Sequence, residues 1–327
     1  MIDNPRRILI VRLSALGDIV FTTSLLQTLR EAYPSAHLAW IAQSNFAGIL
    51  RDDARLDELI EVEKAALTSP SYLLALRQRL RARHFDLVID AQGTLKSNVV
   101  SSLAGAYRVG FAAKKVGALL VQQAIPKGGD IRDISSEYRF LAQALTGKSA
   151  SAPRLVADEE RRQEVALEMQ KKNIQPGFVA LCPFTTRPEK HWIASNWSQL
   201  AKLLSAEGMQ CVLFGGPANV EASKRMVKDV PDSMVNLTGQ TKLESLPAWF
   251  SMAELVIGVD TGLTHIGIAL ERAVIALFGA TCPYTQGANS PLKVLLDAPR
   301  DEHWECMNGL TPELVFQTAL EMKEYAV

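Results

Sequence analysis

The segment VDTGLTHIGIAL carries small and polar residues directly after an apolar run, a pattern that suits phosphate binding. We predict that Asp260, Thr261 and Gly262 lie at the turn from a strand into a helix, so that the free backbone N–H groups of 261–263 begin that helix. Such a helix start, with a glycine that permits close approach, cradles a diphosphate. His265 lies in the first turn and can donate to the same anion. The alternative is structural: Asp260 or Thr261 caps the helix, and His265 is an ordinary buried polar residue.

A second loop with similar chemistry follows the apolar run FVALC. It carries the hydroxyls of Thr185 and Thr186 and the ammonium of Lys190, which suit phosphate oxygens, with a solvated loop as the alternative. Glu221 follows the turn FGGPAN and is suited to accept hydrogen bonds from ribose hydroxyls, or to act as a first-turn helix acid favoured by the helix dipole. The turn FGATCP at 278–283 is a further polar strand end.

In the N-terminal turn LSALGD, a carboxylate stands where nucleotide-binding folds place a phosphate. The run RILIV is followed by a turn that contains Gly17, and an amphipathic stretch begins at Asp18. A carboxylate would repel a phosphate at this position, but it is suited to accept a proton as a general base. The alternative is that Asp18 only caps its helix, which contributes about 1 kcal/mol to stability.

The composition predicts a folded protein of two domains. The 327 residues are 48% hydrophobic and 21% charged, and they exceed the size of one ordinary core. No stretch approaches the roughly 18 apolar residues of a membrane span, and the apolar run near the N-terminus is too short for a signal peptide. Four separated cysteines indicate reduced thiols in a cytoplasmic protein. They are Cys182, Cys211, Cys282 and Cys306.

Charge is unevenly distributed, although the net charge is zero. Residues 1–150 contain 19 Lys and Arg against 14 Asp and Glu, a balance of +5, and the remainder contains 16 against 21, a balance of −5. A basic first half favours an anionic partner for that half, with chance drift as the alternative. Nothing in the sequence predicts nucleic-acid binding. Because it has no D-x-D pair, HExxH segment or Cys/His cluster, we predict no metal site.

Apolar runs alternate with amphipathic segments along the chain, which predicts parallel sheets covered by helices on both faces. The predicted strands are 7–11, 37–41, 86–90, 178–183, 210–216, 254–260 and 273–279. The predicted helices are 19–32, 70–83, 94–104, 134–146, 195–206, 218–229, 243–251, 263–270 and 311–325. Ligands of such sheets bind beyond the carboxyl ends of the strands, where the polar turns lie.

A polar stretch divides this alternation into two halves. We predict an α/β protein with one Rossmann-like domain at 1–150, a linker at 151–176 and a second Rossmann-like domain at 177–327. The two parallel-sheet domains are expected to face each other across an interdomain cleft. The C-terminal helix at 311–325 is expected to pack back on the first domain.

Four of these stretches resemble the ADP-heptose:lipopolysaccharide heptosyltransferases, glycosyltransferase family 9. They are SALGDIVFTTSLLQTLR, DAQGTLKS, TTRPEKHW and GVDTGLTHIGIALERAVIALFGAT, which occur in the family's order and span most of the chain. TTRPEKHW and DAQGTLKS are more similar to heptosyltransferase I than to heptosyltransferase II. The resemblance implies a GT-B fold, an ADP-heptose donor bound by the C-terminal domain, and an acceptor, Kdo-lipid A, bound by the N-terminal domain. It also implies transfer with inversion and without a metal ion or other cofactor.

The resemblance further implies roles for individual residues. Asp18 matches the general base of an S-x-x-G-D motif, in which Ser14 and Gly17 belong to the acceptor-binding turn. Lys96 matches a contact to the anionic acceptor. Donor-binding roles fall to Thr185, Thr186, Lys190, Glu221, Thr241, Asp260, Thr261, Gly262 and His265. Further cations near the acceptor are predicted to be Arg12, Lys114 and Lys115.

Two positions depart from the family's pattern, and three other functions remain open. Residues 218–220 separate the GGP turn from Glu221, and Thr241 stands in place of a larger apolar residue. The alternatives are another family 9 glycosyltransferase with a different sugar or glycan, a nucleotide-sugar epimerase, and a non-catalytic nucleotide-sugar-binding protein. The presence of Asp18 and Lys190 disfavours the last of these. The expected location is the cytoplasm, peripheral to the inner membrane that carries a lipid-linked acceptor.

Overall fold

The protein consists of two units, Met1–Arg154 and Leu155–Val327. The computed structural model describes residues 4–112, 120–130, 133–228, 230, 234–279, 291–296, 307 and 309–324. Each unit contains one six-stranded sheet in which all strand pairs are parallel. Helices connect the strands, so each unit has the predicted α/β architecture.

The first unit alternates strands and helices along the chain. Its strands are β1 (Arg7–Val11), β2 (His37–Gln43), β3 (Glu58–Val62), β4 (Leu87–Asp90), β5 (Tyr107–Gly110) and β6 (Gln123–Ala124). Its α-helices are α1 (Leu16–Ala32), α2 (Ser44–Ala47), α3 (Pro70–Arg81), α4 (Leu95–Leu103) and α5 (Ile134–Thr146). The strand order is β3-β2-β1-β4-β5-β6. The chain therefore leaves β1 on one side and returns to pair with β1 again through β4.

The second unit repeats this plan. Its strands are β7 (Phe178–Cys182), β8 (Cys211–Leu213), β9 (Met234–Asn236), β10 (Ala253–Val259), β11 (Ala273–Phe278) and β12 (Leu292–Leu296). Its α-helices are α6 (Glu159–Lys171), α7 (Ala194–Ala206), α8 (Val220–Val227), α9 (Leu246–Ser251), α10 (Gly262–Ala269) and α11 (Pro312–Glu324). The strand order is β12-β11-β10-β7-β8-β9. Both sheets thus have the Rossmann order, in which ligands bind where the strand order reverses.

The central strands are apolar throughout because helices cover both of their faces. Ile8, Leu9, Ile10 and Val11 of β1 are each 0% exposed, and all five residues of β7 are buried. The reversal points lie between β1 and β4 and between β7 and β10. These two junctions place the ends of the LSALGD, DAQGT, TTRPEK and VDTGLTH segments at the sites where Rossmann-like sheets bind ligands.

Two segments of the predicted domain plan form helices in the second unit. Helix α6 occupies half of the stretch predicted as a linker at 151–176, and it buries Val165 and Met169. Helix α11 packs on α7 and β11 of its own unit, where Val315 belongs to the hydrophobic core; its predicted packing on the first domain stays a prediction. None of the helices in the described ranges is long and apolar enough to cross a membrane.

Asp57, directly before β3, accepts hydrogen bonds from two neighbouring elements and makes the stability of the fold depend on pH. Its Oδ2 accepts hydrogen bonds from the N–H of Leu38 at 2.7 Å and from Arg30 at 2.6 Å. Burial alone raises the pKa of Asp57, but these donors more than offset it and hold the pKa below its usual value. A carboxyl of this kind stabilises the fold above the pKa of the unfolded chain, and the stabilisation is lost as the pH falls through the folded pKa.

We therefore expect Asp57→Asn to lower the free energy of unfolding at pH 7 by about 1 kcal/mol, a modest value because the pair is partly exposed. The difference from the parent should begin to shrink as the pH falls below about 4, the usual pKa of an aspartate in an unfolded chain, and it should disappear below the lowered pKa of Asp57 in the folded protein. Urea denaturation at a series of pH values measures both. A difference that stayed constant from pH 7 to pH 3 would contradict this assignment.

Candidate active site

The second unit brings the two predicted phosphate-binding segments together. Strands β7 and β10 are neighbours, with Cys182 opposite Gly258, so the loops that follow them emerge side by side. Lys190 Nζ lies 2.5 Å from Asp260 Oδ2, and His265 Nε2 lies 3.4 Å from Asp260 Oδ1. The three side chains are largely buried, with exposed fractions of 14%, 3% and 5%. The structure thus joins residues 190, 260 and 265 into one polar cluster at the carboxyl edge.

Helix α10 begins beside this cluster. Thr261 is its N-cap residue and has an extended backbone, but its side chain makes no capping hydrogen bond. The first amides of α10, from Gly262 onward, therefore have no capping partner on Thr261. The helix start is held close to β10, because Thr264 Oγ1 donates to the carbonyl of Val259 at 2.7 Å. A Cβ atom at Gly258 would lie 2.1 Å from that same Oγ1, so this approach requires glycine.

The loop after β7 carries the two predicted threonines. Thr185 Oγ1 accepts a weak hydrogen bond from the N–H of Arg187 at 3.4 Å, and His191 Nε2 lies 3.1 Å from the Thr185 carbonyl oxygen. Thr186 is exposed. The end of the loop is anchored by Trp192, a fully buried residue whose Nε1 donates to Leu310 at 2.8 Å. This anchoring fixes the direction in which the loop presents Lys190.

Glu221 and Thr241 follow β8 and β9, and within the described residues no hydrogen bond or ion pair joins them to the Lys190–Asp260 cluster. Glu221 lies in the first turn of α8 with its side chain 80% exposed. It accepts a hydrogen bond from Lys224 at 2.7 Å, which lowers its pKa. Glu221 therefore lies at the start of a helix, as the structural alternative predicted, and it pairs with a lysine of the same helix. Thr241 is half-buried.

In the first unit, Asp18 is the third residue of α1, and its carboxylate contacts three neighbouring groups. Its Oδ2 lies 2.6 Å from Arg12 Nη2 and accepts the N–H of Ala15 at 3.2 Å. Its Oδ1 lies 3.4 Å from the hydroxyl of Tyr138. The side chain of Asp18 is 31% exposed. Oδ2 thus accepts a hydrogen bond at the start of α1, as the capping alternative predicted. The carboxylate is also partly exposed to solvent.

Arg12 was predicted as a cation for the acceptor, but the structure pairs it with Asp18 and buries it. Arg12 is 5% exposed, and its Nη1 donates to the carbonyl of Ala91 at 3.0 Å. Its guanidinium also lies over the ring of Tyr138, with Cζ 5.5 Å from the ring centroid. Arg12 is therefore a fixed neighbour of Asp18 rather than an open cation.

Asp90 organises the adjoining turn of DAQGTLKS, a function that the sequence analysis missed. It is fully buried, and its oxygens accept hydrogen bonds from the N–H groups of Gln92 and Gly93 and from the side chains of Asn98 and Ser101. Burial raises the pKa of Asp90 even with these donors. The only signal in the sequence was a carboxylate at the end of an apolar strand.

Gln92 links this turn to the loop that carries Asp18. Its Oε1 accepts the N–H of Leu13 at 2.8 Å, so the end of β4 holds the end of β1. Ser14, just before α1, and Gly17, the second residue of α1, are half-buried, whereas Lys96 is exposed on the first turn of α4. Across the described stretches, Lys96 has no hydrogen bond or ion pair, so its ammonium is open to a ligand.

Several predicted residues lie outside the described residues. They are 280–283 of the FGATCP turn, Lys114, Lys115, Cys282 and Cys306. The other two cysteines, Cys182 and Cys211, are buried free thiols whose pKa burial raises. A search of the described residues finds no group of three or more His, Cys, Asp and Glu side chains arranged to hold a metal ion.

Two Rossmann-like units, each with a six-stranded parallel sheet, are the architecture of a GT-B glycosyltransferase. The model of glycosyltransferase family 9 (heptosyltransferase) matches residues 73–313, about three-quarters of the chain. The protein therefore belongs to glycosyltransferase family 9 and is a glycosyltransferase.

Individual relatives agree with this assignment over nearly the full length. The chain is 28% identical over 333 residues to lipopolysaccharide heptosyltransferase 1 of Escherichia coli O18:K1:H7 (strain RS218 / NMEC), covering 98% of this chain and 99% of that protein. It is similar to the structure of E. coli heptosyltransferase WaaC with ADP, with a TM-score of 0.80, 27% identity and coverage of 97% and 99%. WaaC with ADP-2-deoxy-2-fluoro heptose matches with a TM-score of 0.77, 27% identity and coverage of 96% and 99%. These likenesses confirm the predicted GT-B fold.

Proposed function

We propose that the protein transfers heptose from ADP-L-glycero-D-manno-heptose to Kdo of the lipopolysaccharide inner core, with Kdo-lipid A as the acceptor. The observation that carries the proposal is the cluster of Lys190, Asp260 and His265 at the start of α10, where the N-cap residue Thr261 makes no side-chain capping hydrogen bond. It offers an ammonium and free amides to a diphosphate. The names of the relatives, lipopolysaccharide heptosyltransferase 1 and a heptosyltransferase with ADP, support the choice of sugar and nucleotide.

In the donor site, Lys190 supplies the positive charge. Its ammonium has three N–H donors and gives one to Asp260, so two remain for phosphate oxygens. Asp260 also holds His265 nearby. We propose that Lys190, His265 and the first amides of α10 stabilise the negative charge that develops on the departing ADP. The reaction then needs no metal ion or other cofactor.

In the acceptor site, Asp18 is the proposed general base. The acceptor hydroxyl loses its proton to Asp18 as its oxygen bonds to the anomeric carbon of heptose. The bond between that carbon and the phosphate oxygen breaks on the opposite face, and its electron pair leaves with ADP. A single displacement of this kind inverts the anomeric configuration. Lys96, exposed at the start of α4, is suited to bind the anionic acceptor.

The location follows from the proposed acceptor. Kdo-lipid A is a membrane lipid, so an enzyme that uses it works at the membrane surface. We therefore propose a cytoplasmic protein that associates peripherally with the inner membrane.

The deciding experiment is to incubate the protein with ADP-heptose and Kdo-lipid A and to analyse the lipid by mass spectrometry. We expect one heptose to be added to the acceptor and ADP to be released in equal amount. Parallel reactions with UDP- and GDP-sugars test the nucleotide. A preference for either, conversion of the nucleotide sugar without acceptor, or ADP binding without transfer would each replace the proposal with one of the alternative functions.

A further inference from the structure

The two oxygens of the Asp18 carboxylate have different surroundings. Oδ2 contacts Arg12 Nη2 at 2.6 Å and the N–H of Ala15 at 3.2 Å. In the described part of the chain, Oδ1 has one hydrogen-bonding neighbour, the hydroxyl of Tyr138 at 3.4 Å. An O–H···O hydrogen bond normally spans 2.5–3.0 Å, so this contact orients Oδ1 while leaving its lone pairs largely open. Oδ1 is thus the oxygen with room for another proton donor.

The two side chains behind Asp18 are themselves fixed. Arg12 is 5% exposed and is tied to the carbonyl of Ala91 at 3.0 Å. Tyr138, on α5, is 2% exposed, and its ring meets Phe111 edge-on with centroids 6.4 Å apart. The guanidinium of Arg12 lies over the same tyrosine ring, with Cζ 5.5 Å from its centroid. Two buried side chains that are distant in sequence therefore pack on each other and contact the Asp18 carboxylate.

Burial also determines the protonation state of Tyr138. Its pKa is raised above the usual value, mainly because the hydroxyl is buried. The phenol accordingly stays protonated over the pH range in which proteins are folded, so its hydroxyl, which also contacts the Thr22 side chain, keeps a proton that it can donate to Oδ1. Its position 120 residues from Asp18 in the sequence shows that the contact arises from the tertiary fold.

We propose that Oδ1 of Asp18 is the atom that accepts the acceptor's proton, and that Arg12 and Tyr138 are positioning residues that hold Asp18 with Oδ1 outward. This inference rests on the proposed function, in which Asp18 is the general base. Arg12 occupies Oδ2 and prevents the carboxylate from rotating, and Tyr138 sets the direction of Oδ1. Neither residue exchanges a proton in the reaction.

The first test is Tyr138→Phe, which removes one hydroxyl and keeps the ring that packs on Arg12 and Phe111. We expect kcat to fall on the order of tenfold, because a misdirected base reacts less often. The KM for ADP-heptose should stay within about twofold, since the donor residues belong to the other unit. The matched control is Tyr107→Phe, whose hydroxyl donates to Gln123 at 3.3 Å at the start of β5. The control should keep the parental kcat, and parental kcat in Tyr138→Phe would overturn the inference.

The second test compares Arg12→Lys with Arg12→Gln. The groups facing Asp18 are Arg12, directly after β1, and Tyr138 from α5, with Glu137 beside the tyrosine. Lysine keeps a cation next to Oδ2, so Arg12→Lys should retain more activity than Arg12→Gln. Equal kcat in Arg12→Lys and in a folded Arg12→Gln enzyme would exclude Arg12 from positioning Asp18.

Measuring Asp18→Asn in the same series separates this inference from the proposed function. If Asp18→Asn is fully active, the assignment of the general base fails. If Asp18→Asn is inactive while Tyr138→Phe and Arg12→Gln both match the parent, only the positioning fails. Should Arg12→Gln not fold, the comparison of Tyr138→Phe with Tyr107→Phe still decides.

Discussion

Asp18→Asn is expected to lower kcat by about 10²- to 10⁴-fold while leaving the affinity for ADP unchanged. The range is that of general-base catalysis, and asparagine has nearly the same shape but cannot accept the proton. ADP affinity should be preserved because the proposed donor residues all belong to the second unit. Steady-state kinetics gives kcat, and titration calorimetry gives the ADP affinity of the same preparation.

This prediction must be separated from the structural function of Asp18, because its Oδ2 accepts the N–H of Ala15 at the start of α1. Asp158→Asn is a suitable control. Asp158 caps α6 by accepting the N–H of Arg161 at 3.0 Å, and no function is assigned to it. Each variant should lose about 1 kcal/mol of stability at most. If Asp158→Asn lost as much kcat as Asp18→Asn, weakened helix starts rather than proton transfer would explain both.

The strands that the sequence predicts are those buried on both faces, since only they form uninterrupted apolar runs. β1, β7, β10 and β11 are of this kind. β3 was missed because only two of its five residues are buried and charged residues interrupt it. The apolar runs also explain why residues 190 and 260 could be assigned to one site, since Asp260 directly follows β10 and Lys190 lies in the loop after β7.

The immediate surroundings of Asp18 could not be predicted from local sequence. Tyr138 is 120 residues away from Asp18, and Ala91 is 79 residues away from Arg12. No periodicity or motif encodes such contacts. Arg12 illustrates the consequence: its charge suggested an open cation, and only the fold shows that this charge is already paired with Asp18. The residue types indicated which chemistry the site can perform. Which charged residues pair with each other, in contrast, depends on the order of the strands in the sheet.

Lys190→Ala is expected to weaken ADP binding by about 10- to 100-fold, the effect of losing one or two charge-assisted hydrogen bonds to phosphate. Lys172→Ala is the matched control. Lys172 belongs to the same unit, is half-buried, and donates to Gln240 at 3.0 Å. Lys172→Ala should bind ADP like the parent, because a lysine outside the site contributes only screened charge. Titration calorimetry at fixed salt measures the three affinities.

Lys190→Ala also leaves Asp260 without its closest cation, and Asp260 is only 3% exposed. Removing one partner of a buried ion pair destabilises a protein by about 3–5 kcal/mol, so lost ADP binding could reflect a disturbed fold. The double variant Lys190→Ala/Asp260→Asn separates the two effects, because it removes the stranded charge together with its partner. It should regain stability but not ADP affinity if Lys190 binds the diphosphate itself. Recovery of both would mean that Lys190 serves only to neutralise Asp260, and the phosphate would then depend on His265 and the amides of α10.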